Sequence, residues 1–498
     1  MTATQKTSHW PGERDPSYRD VASASERPDP ALLSNFKRVL MASDDAIGVE
    51  ALVHIHLKER QPRWSGKYTY PLALLSSFPK LPEPDRIADL CRLFPKACLQ
   101  HVFFEHFPSS ALSHDSIAPL RFGIAALASV SCGGGINEVE TLYRAGASLW
   151  PTMVEVDNSL ARSIEMLLAA VLLIPCGVLA ATESLRTRAS LLLPSSITIA
   201  RRMQLHNPGQ LGPGLRQRLA SYSPLLWSLW LWDMLHALHS DHTLNVSSTE
   251  VQGDLPSTTT PFHHVYRDLL QDHVNGRQPL LFTLDGESSR DQALLLLLAI
   301  LTDSITARRS LDSPSNAVNP AHPVAYKLNP FILYSDQAEL ARIQAQLSLA
   351  LDRWDVKFGA LVSPDIKALA LYCRLYLSCP VLSTLHRAVL DNHAISPNLS
   401  GPSFNISVSD ESVNYAWAIL DTAAGGLPQS SLCPAWMPIC VFHAALVVWA
   451  NIRSDKGGGA GARHGSIRAL LAFKVELEGM QWPCCGNMAA ALQDLMSA

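Results

Sequence analysis

Two stretches without a single Asp, Glu, Lys or Arg constrain this chain more than any other feature. Met166 to Thr182, "MLLAAVLLIPCGVLAAT", is 17 residues long, and Thr422 to Ile452 carries no charge unless His443 is protonated. Apolar surface on that scale must leave water, in a bilayer or in a protein core. A spanning helix needs about 20 predominantly apolar residues. The first run falls short and contains Pro175 and Gly177; the second holds Pro428, Pro434 and Pro438 before its apolar part, Ile439 to Ile452. Both read as buried helices of a large all-α protein, with a membrane-associated helical protein as a competing class.

A chain of 498 residues is long enough to bury such helices in a sizeable core. From about residue 31 onward the apolar spacing is helical, and strand-like alternation is confined to fragments such as "LVHIH", Leu52 to His56. The clearest helix is Asp336 to Phe358. Leu340, Ile343, Leu347, Leu351, Trp354 and Phe358 recur every three or four residues and form one stripe. Ser363 and Pro364 then stand as N-cap and first residue of the next helix, where proline's missing N–H costs nothing. Further helices are expected at about 84–107, 115–131, 136–150, 158–180, 183–206, 215–239, 287–308, 410–423, 439–453 and 465–478. Loops are expected at Leu311 to Pro330, at His393 to Val408 and in the glycine-rich "KGGGAGARHG", Lys456 to Gly465. The chain divides into a disordered leader (1–30), an N-terminal helical segment (31–83), a helical domain (84–310) and a C-terminal helical portion of that domain (331–498).

Several function classes lack their signature. With 40 Lys+Arg against 44 Asp+Glu the net charge is −4, so no basic field points to nucleic acid. The ten cysteines are dispersed through apolar contexts and suggest no disulfide framework; the N-terminus has no signal-peptide pattern, and an intracellular location is expected. The sequons at Asn245, Asn398 and Asn405 then read as chance matches. The closest cysteine spacings are Cys91 to Cys98, Cys373 to Cys379, Cys433 to Cys440 and the adjacent Cys484 and Cys485. None supplies the C-x-x-C pairs that wrap a zinc ion in a DNA-reading module. "SCGGGIN" and "KGGGAGARHG" follow no strand, and no phosphate-cradling G-x-x-x-x-G-K-[ST] occurs.

One constellation invites a metal. In "WDMLHALHSDH", Asp233, His236, His239 and His242 stand at three-residue intervals behind Trp227, Trp230 and Trp232. On a continuous helix, however, successive members rotate about 60° backwards and climb about 4.5 Å, so the four spread over half the circumference and cannot meet at one ion. The simpler reading is a helix end where histidines are favourable near the negative pole of the dipole. The competing enzyme class, metal-dependent or terpene-synthase-like, would use this Asp/His row or the adjacent pair Asp44 and Asp45.

Three blocks, taken in order, resemble the regulatory "middle homology" domain of fungal-specific transcription factors. The first is "CLQHVFFEHFPSSALSHDSIAPLRFGIAALAS", Cys98 to Ser129. The second is "SIEMLLAAVLLIPCGVLAATESLRTRASLLLPSSITIARRMQLHN", Ser163 to Asn207. The third is "LLWSLWLWDMLHALHSDHTLNVSSTEVQGDLP", Leu225 to Pro256. In that family a Trp-containing apolar helix runs into an Asp, a polar loop and an acidic segment closing in Leu-Pro. Trp227, Trp230, Asp233, Asp254, Leu255 and Pro256 stand at the matching places, as a structural signature. The chain departs from the family in having only Arg216 and Arg218 beside that helix, in Pro224 interrupting its approach, and in lacking the zinc module.

The resemblance, which covers about 84 to 480, implies an all-α regulatory domain of a nuclear transcription regulator, not an enzyme, controlling a metabolic or secondary-metabolite gene cluster. It implies no catalytic, metal or DNA-contacting residue and no cofactor in this chain, with zinc only in a missing upstream module. Promoter DNA would be reached through that module or a DNA-bound partner. Transcriptional co-regulators are the expected partners, a homodimer is admitted, and no membrane is involved.

Overall fold

The structure, a computed structural model, describes residues 78–98, 101–107, 112, 116–208, 222–240, 242–256, 258, 260–271, 289–311, 337–390, 408–425, 432–454 and 460–497. The expected leader, nearly all of the segment 31–83, the "LVHIH" fragment, Asp44 and Asp45, Arg216 and Arg218, the sequons at Asn398 and Asn405, and most of the two Pro-rich loops lie outside them.

The protein is all-α. In chain order the helices are α1 (Pro84–Ala97), α2 (Ala118–Ser131), α3 (Ile136–Val156), α4 (Ile164–Val178), α5 (Glu183–Arg202), α6 (Ser223–Ser240), α7 (Phe262–Leu270), α8 (Ser289–Leu311), α9 (Gln337–Phe358), α10 (Pro364–Ser378), α11 (Leu382–Leu390), α12 (Asp410–Ala424), α13 (Met437–Ser454), α14 (Ala460–Gly479) and α15 (Cys484–Ser497). Among the described residues the β-structure is limited to one isolated antiparallel bridge, Asp254 with Pro261. Residues 79 to 498 form one compact unit.

The uncharged run around α4 is the axis of the N-terminal half. Ser163 caps it, its hydroxyl accepting from Met166 N at 3.1 Å, and every residue from Met166 to Val178 is buried. Helices α2, α3, α5 and α6 surround it. The approach of α3 depends on glycine. A Cβ at Gly177 would lie 2.2 Å from the Tyr143 hydroxyl, and one at Gly146 would lie 2.6 Å from a Leu173 methyl. These two glycines let the helices pack closer than any side chain permits.

The second uncharged run becomes α13, with all residues from Met437 to Ala450 buried. It is long and apolar enough to cross a membrane, and 78% of it is buried inside the protein. Helices α10, α11, α12, α14 and α15 pack on it, and α6 reaches it from the other half. His443, 2% exposed, adds no charge to the run: burial and the neighbouring His386 and His239 hold it well below its ordinary pKa.

Buried tryptophans tie the elements together through their indole N–H groups, which seek partners when removed from water. Trp150 donates to Met166 O (2.7 Å), Trp354 to Ala293 O (2.9 Å), Trp436 to Asp365 O (3.0 Å) and Trp482 to Cys433 O (2.7 Å). Arg308, 6% exposed, closes the C-terminal end of α10. Its guanidinium donates to the carbonyls of Cys379 (2.9 Å) and Tyr376 and stacks over the Tyr376 ring at 4.3 Å.

Several boundaries differ from the sequence expectation. The span 84–107 is not one helix: α1 stops at Ala97 and a separate 3-10 turn runs from Val102 to His106. Helix α3 continues to Val156 with Pro151 inside it, and α5 ends at Arg202, before Gln204 turns to a φ of +61°. Pro224 sits in the first turn of the Trp helix, where proline is tolerated. Ser363 occupies the N-cap position of α10 without a side-chain capping bond. The glycine-rich loop is corrected most: from Ala460 onward the chain is already helical.

Candidate functional site

Of the six signature residues, Trp227, Trp230 and Asp233 lie buried on α6, and Asp254, Leu255 and Pro256 close the segment that follows it. Trp227 packs edge-on against Phe103 at 5.4 Å, and Trp230 packs edge-on against Phe262 at 5.7 Å while donating to Thr302 Oγ1 at 2.9 Å. Asp233 is fully buried. Its Oδ2 accepts the backbone N–H groups of Asn245 (2.7 Å) and Val246 (2.8 Å), and its Oδ1 accepts the Asn245 side-chain amide (2.7 Å). The side chain therefore clasps the following polar loop. Burial raises its pKa to about 6, against the three donors and the nearby Arg201, all of which favour the carboxylate.

A second clamp holds the same loop. Arg201, at the end of α5, donates in a fork to both oxygens of Glu250 at 2.9 Å and reaches Asn245 O at 2.5 Å. Ser248 donates to Asp303 at 2.6 Å, and the Tyr266 hydroxyl donates to the same carboxylate at 2.7 Å. Downstream, Leu255 N and Phe262 N bond to Thr260 O and Gly253 O, both at 2.9 Å, closing the bridge at Asp254. Leu255 is buried, and Pro256 O accepts from Gln292 Nε2 at 3.0 Å. Loop and closing segment are thus fastened to α5, α6, α7 and α8 together.

The Asp/His row does not act as a set. While Asp233 faces the loop, His236 bonds to Ser190 at 2.8 Å and stacks on the exposed His242 at 4.7 Å. His239 is buried beside His386, with ring centroids 6.2 Å apart. Nor are these histidines dipole-stabilising cations. Burial lowers His236 to about 4 and His239 well below its ordinary value, so the charge expected at the helix end is absent from both.

Behind this row lies a buried polar chain that the sequence did not disclose. Tyr372 OH pairs with His443 Nδ1 at 2.7 Å, His443 Nε2 with His386 Nδ1 at 2.8 Å, and His386 Nε2 with the carbonyl of His239 at 2.9 Å. It links α10, α13, α11 and α6. Its directly bonded partners are separated by 57 to 147 positions, so no local spacing advertises them. Another buried imidazole, His101, sits between Trp232 (6.4 Å, stacked) and Trp482 (6.1 Å, edge-on), and burial lowers it to about 3. Among the described residues one group could hold a metal: Glu105, His106 and Asp291.

No protein-family model, curated protein or solved structure matches this chain.

Proposed function

We propose that this protein is a nuclear transcription regulator, controlling a fungal metabolic or secondary-metabolite gene cluster through its helical domain and carrying out no chemistry of its own. The observation that carries the reading is the clasp around Asp233. The three blocks that resemble the transcription-factor regulatory domain follow one another in the family's order, and in the third Asp233 clasps the loop that leads to the closing Asp254-Leu255-Pro256. A domain of this kind acts by presenting surfaces to co-regulators or to a DNA-bound partner, in keeping with a chain that is not basic overall.

Deleting the gene and profiling transcripts under producing conditions tests the proposal. Coordinated loss or gain of expression across one biosynthetic cluster is the expected result. Unchanged expression of every cluster, or a fluorescently tagged protein excluded from nuclei, would overturn it.

A further inference from the structure

The 3-10 turn Val102–His106 brings Glu105 and His106 against Asp291 in the first turn of α8, 185 positions away from His106. One ligand atom from each lies within 4.8 Å of the others. His106 Nε2 is 2.5 Å from Asp291 Oδ2 and 3.8 Å from Glu105 Oε1. The group is graded in exposure. Asp291 is only 6% exposed, whereas the side chains of His106 and Glu105 are 34% and 48% exposed, so an ion could enter from one side.

The buried member points independently to a ligand. Asp291 Oδ1 is out of solvent with no hydrogen-bond partner, although its sister oxygen is held by His106. A buried carboxylate oxygen without a donor is costly, and a cation relieves that cost directly. The neighbouring cation is directed elsewhere: the Arg290 guanidinium lies 3.9 Å from the Asp365 carboxylate. That leaves two carboxylates and an imidazole converging on one small space.

We propose that Glu105, His106 and Asp291 bind one divalent first-row transition-metal ion. An imidazole nitrogen with two carboxylates suits Zn²⁺, Mn²⁺, Fe²⁺ or Co²⁺ better than Mg²⁺ or Ca²⁺, which favour all-oxygen shells. Bonds of about 2.0–2.2 Å set ligand atoms roughly 3.4 Å apart in a tetrahedral shell. The His106–Asp291 contact therefore opens by about 1 Å as the ion enters, and any proton held between them is released to solvent. Glu105 draws in by a few tenths of an ångström. Three protein ligands leave the fourth position to water, and the ion pins the 3-10 turn to α8. This site stands apart from the regulatory reading and does not depend on it.

The test is titration of the metal-free, full-length protein with Co²⁺ and Zn²⁺, following visible Co²⁺ d–d absorption, stoichiometry and Tm. One equivalent is expected, with nitrogen–oxygen-type bands and a raised Tm. His106→Gln and Asp291→Asn should weaken binding by at least about tenfold, the scale at which even supporting groups of a metal site matter. Glu105→Gln, at an exposed position, should weaken it without affecting the fold, so the test survives a failure of Asp291→Asn to fold. His264→Gln, exposed and remote in sequence, should leave it unchanged. Absence of stoichiometric binding, a thiolate-to-Co²⁺ charge-transfer band, or affinity indifferent to His106→Gln and Glu105→Gln would overturn the proposal. Transcript profiles do not enter this test, so it can fail while the regulatory function stands, and the reverse.

Discussion

At the scale of single residues, Asp233 shows how a buried acid can be structural. Its carboxylate accepts three donors at 2.7–2.8 Å, and replacing one acceptor oxygen by an NH₂ group sets donor against donor. Asp233→Asn is expected to destabilise the protein by about 2–3 kcal/mol, read as a lower urea midpoint, with faster amide exchange at Asn245 and Val246. Asn245→Ala removes only one donor and should cost about 1 kcal/mol. The sequence marked Asp233 as part of a structural signature beside Trp227 and Trp230. It could not reveal the partner, since Asn245 lies in a loop whose path depends on Arg201 and Asp303.

At the scale of elements, the α3–α4 crossing turns on Gly177 and Gly146. Gly177→Ala improves helix propensity yet drives a methyl into the Tyr143 ring, whose hydroxyl bonds to Leu185 O at 3.2 Å. Overpacking of this kind costs about 1–3 kcal/mol, so the variant should be less stable despite the better helix former; an unchanged thermal midpoint would refute the tight crossing. Helices with long apolar stripes were legible: Leu347, Leu351, Trp354 and Phe358 are all buried, and Leu340 and Ile343 are half-buried on the same face of α9. The short helices escaped. Phe262, Val265, Tyr266 and Leu269 form a clear buried stripe, but nine residues hold too few turns to stand out from loop. At "AGARHG" glycine's poor propensity outweighs the pattern, and helix α14 forms there nonetheless.

At the scale of the whole molecule, buried histidines set the response to acid. His101 is lowered to about 3 and His236 to about 4 from 6.5, and His239 and His443 fall well below it. As pH drops below about 6.5 the unfolded chain takes up these protons and the folded protein does not. Stability that is complete above 6.5 is therefore lost toward each folded value, by about 1.4 kcal/mol per pH unit and histidine. Asp233 opposes this between about 6 and 3.8, because its folded form is the one that takes the proton first. The four histidines outnumber it, so urea midpoints should fall steeply from pH 6.5 to 4.5, and His236→Gln should flatten the slope by about one histidine's share. Thiol reactivity gives a second whole-molecule readout. Cys132 is the one cysteine classed as exposed, eight are buried, and Cys91 is part-buried with its thiol raised to about 11 by burial. Rapid maleimide labelling of the native protein should therefore stop at one thiol, with the remainder reacting on unfolding; several fast thiols would contradict this packing.

The closing contacts of the fold also dictate when it can form. Cys484 N bonds to Leu179 O at 2.9 Å and Asn487 Nδ2 to Ala181 O at 2.6 Å, so helix α15 seals the end of the most apolar helix, α4, made some 300 residues earlier. At about 5–20 residues per second, the α4 segment waits roughly 15–60 s for its cover. During translation that interval is a window for chaperone capture. A nascent chain stalled before residue 430 should remain bound by holdases and protease-sensitive, whereas one extended far enough to free α15 should lose both.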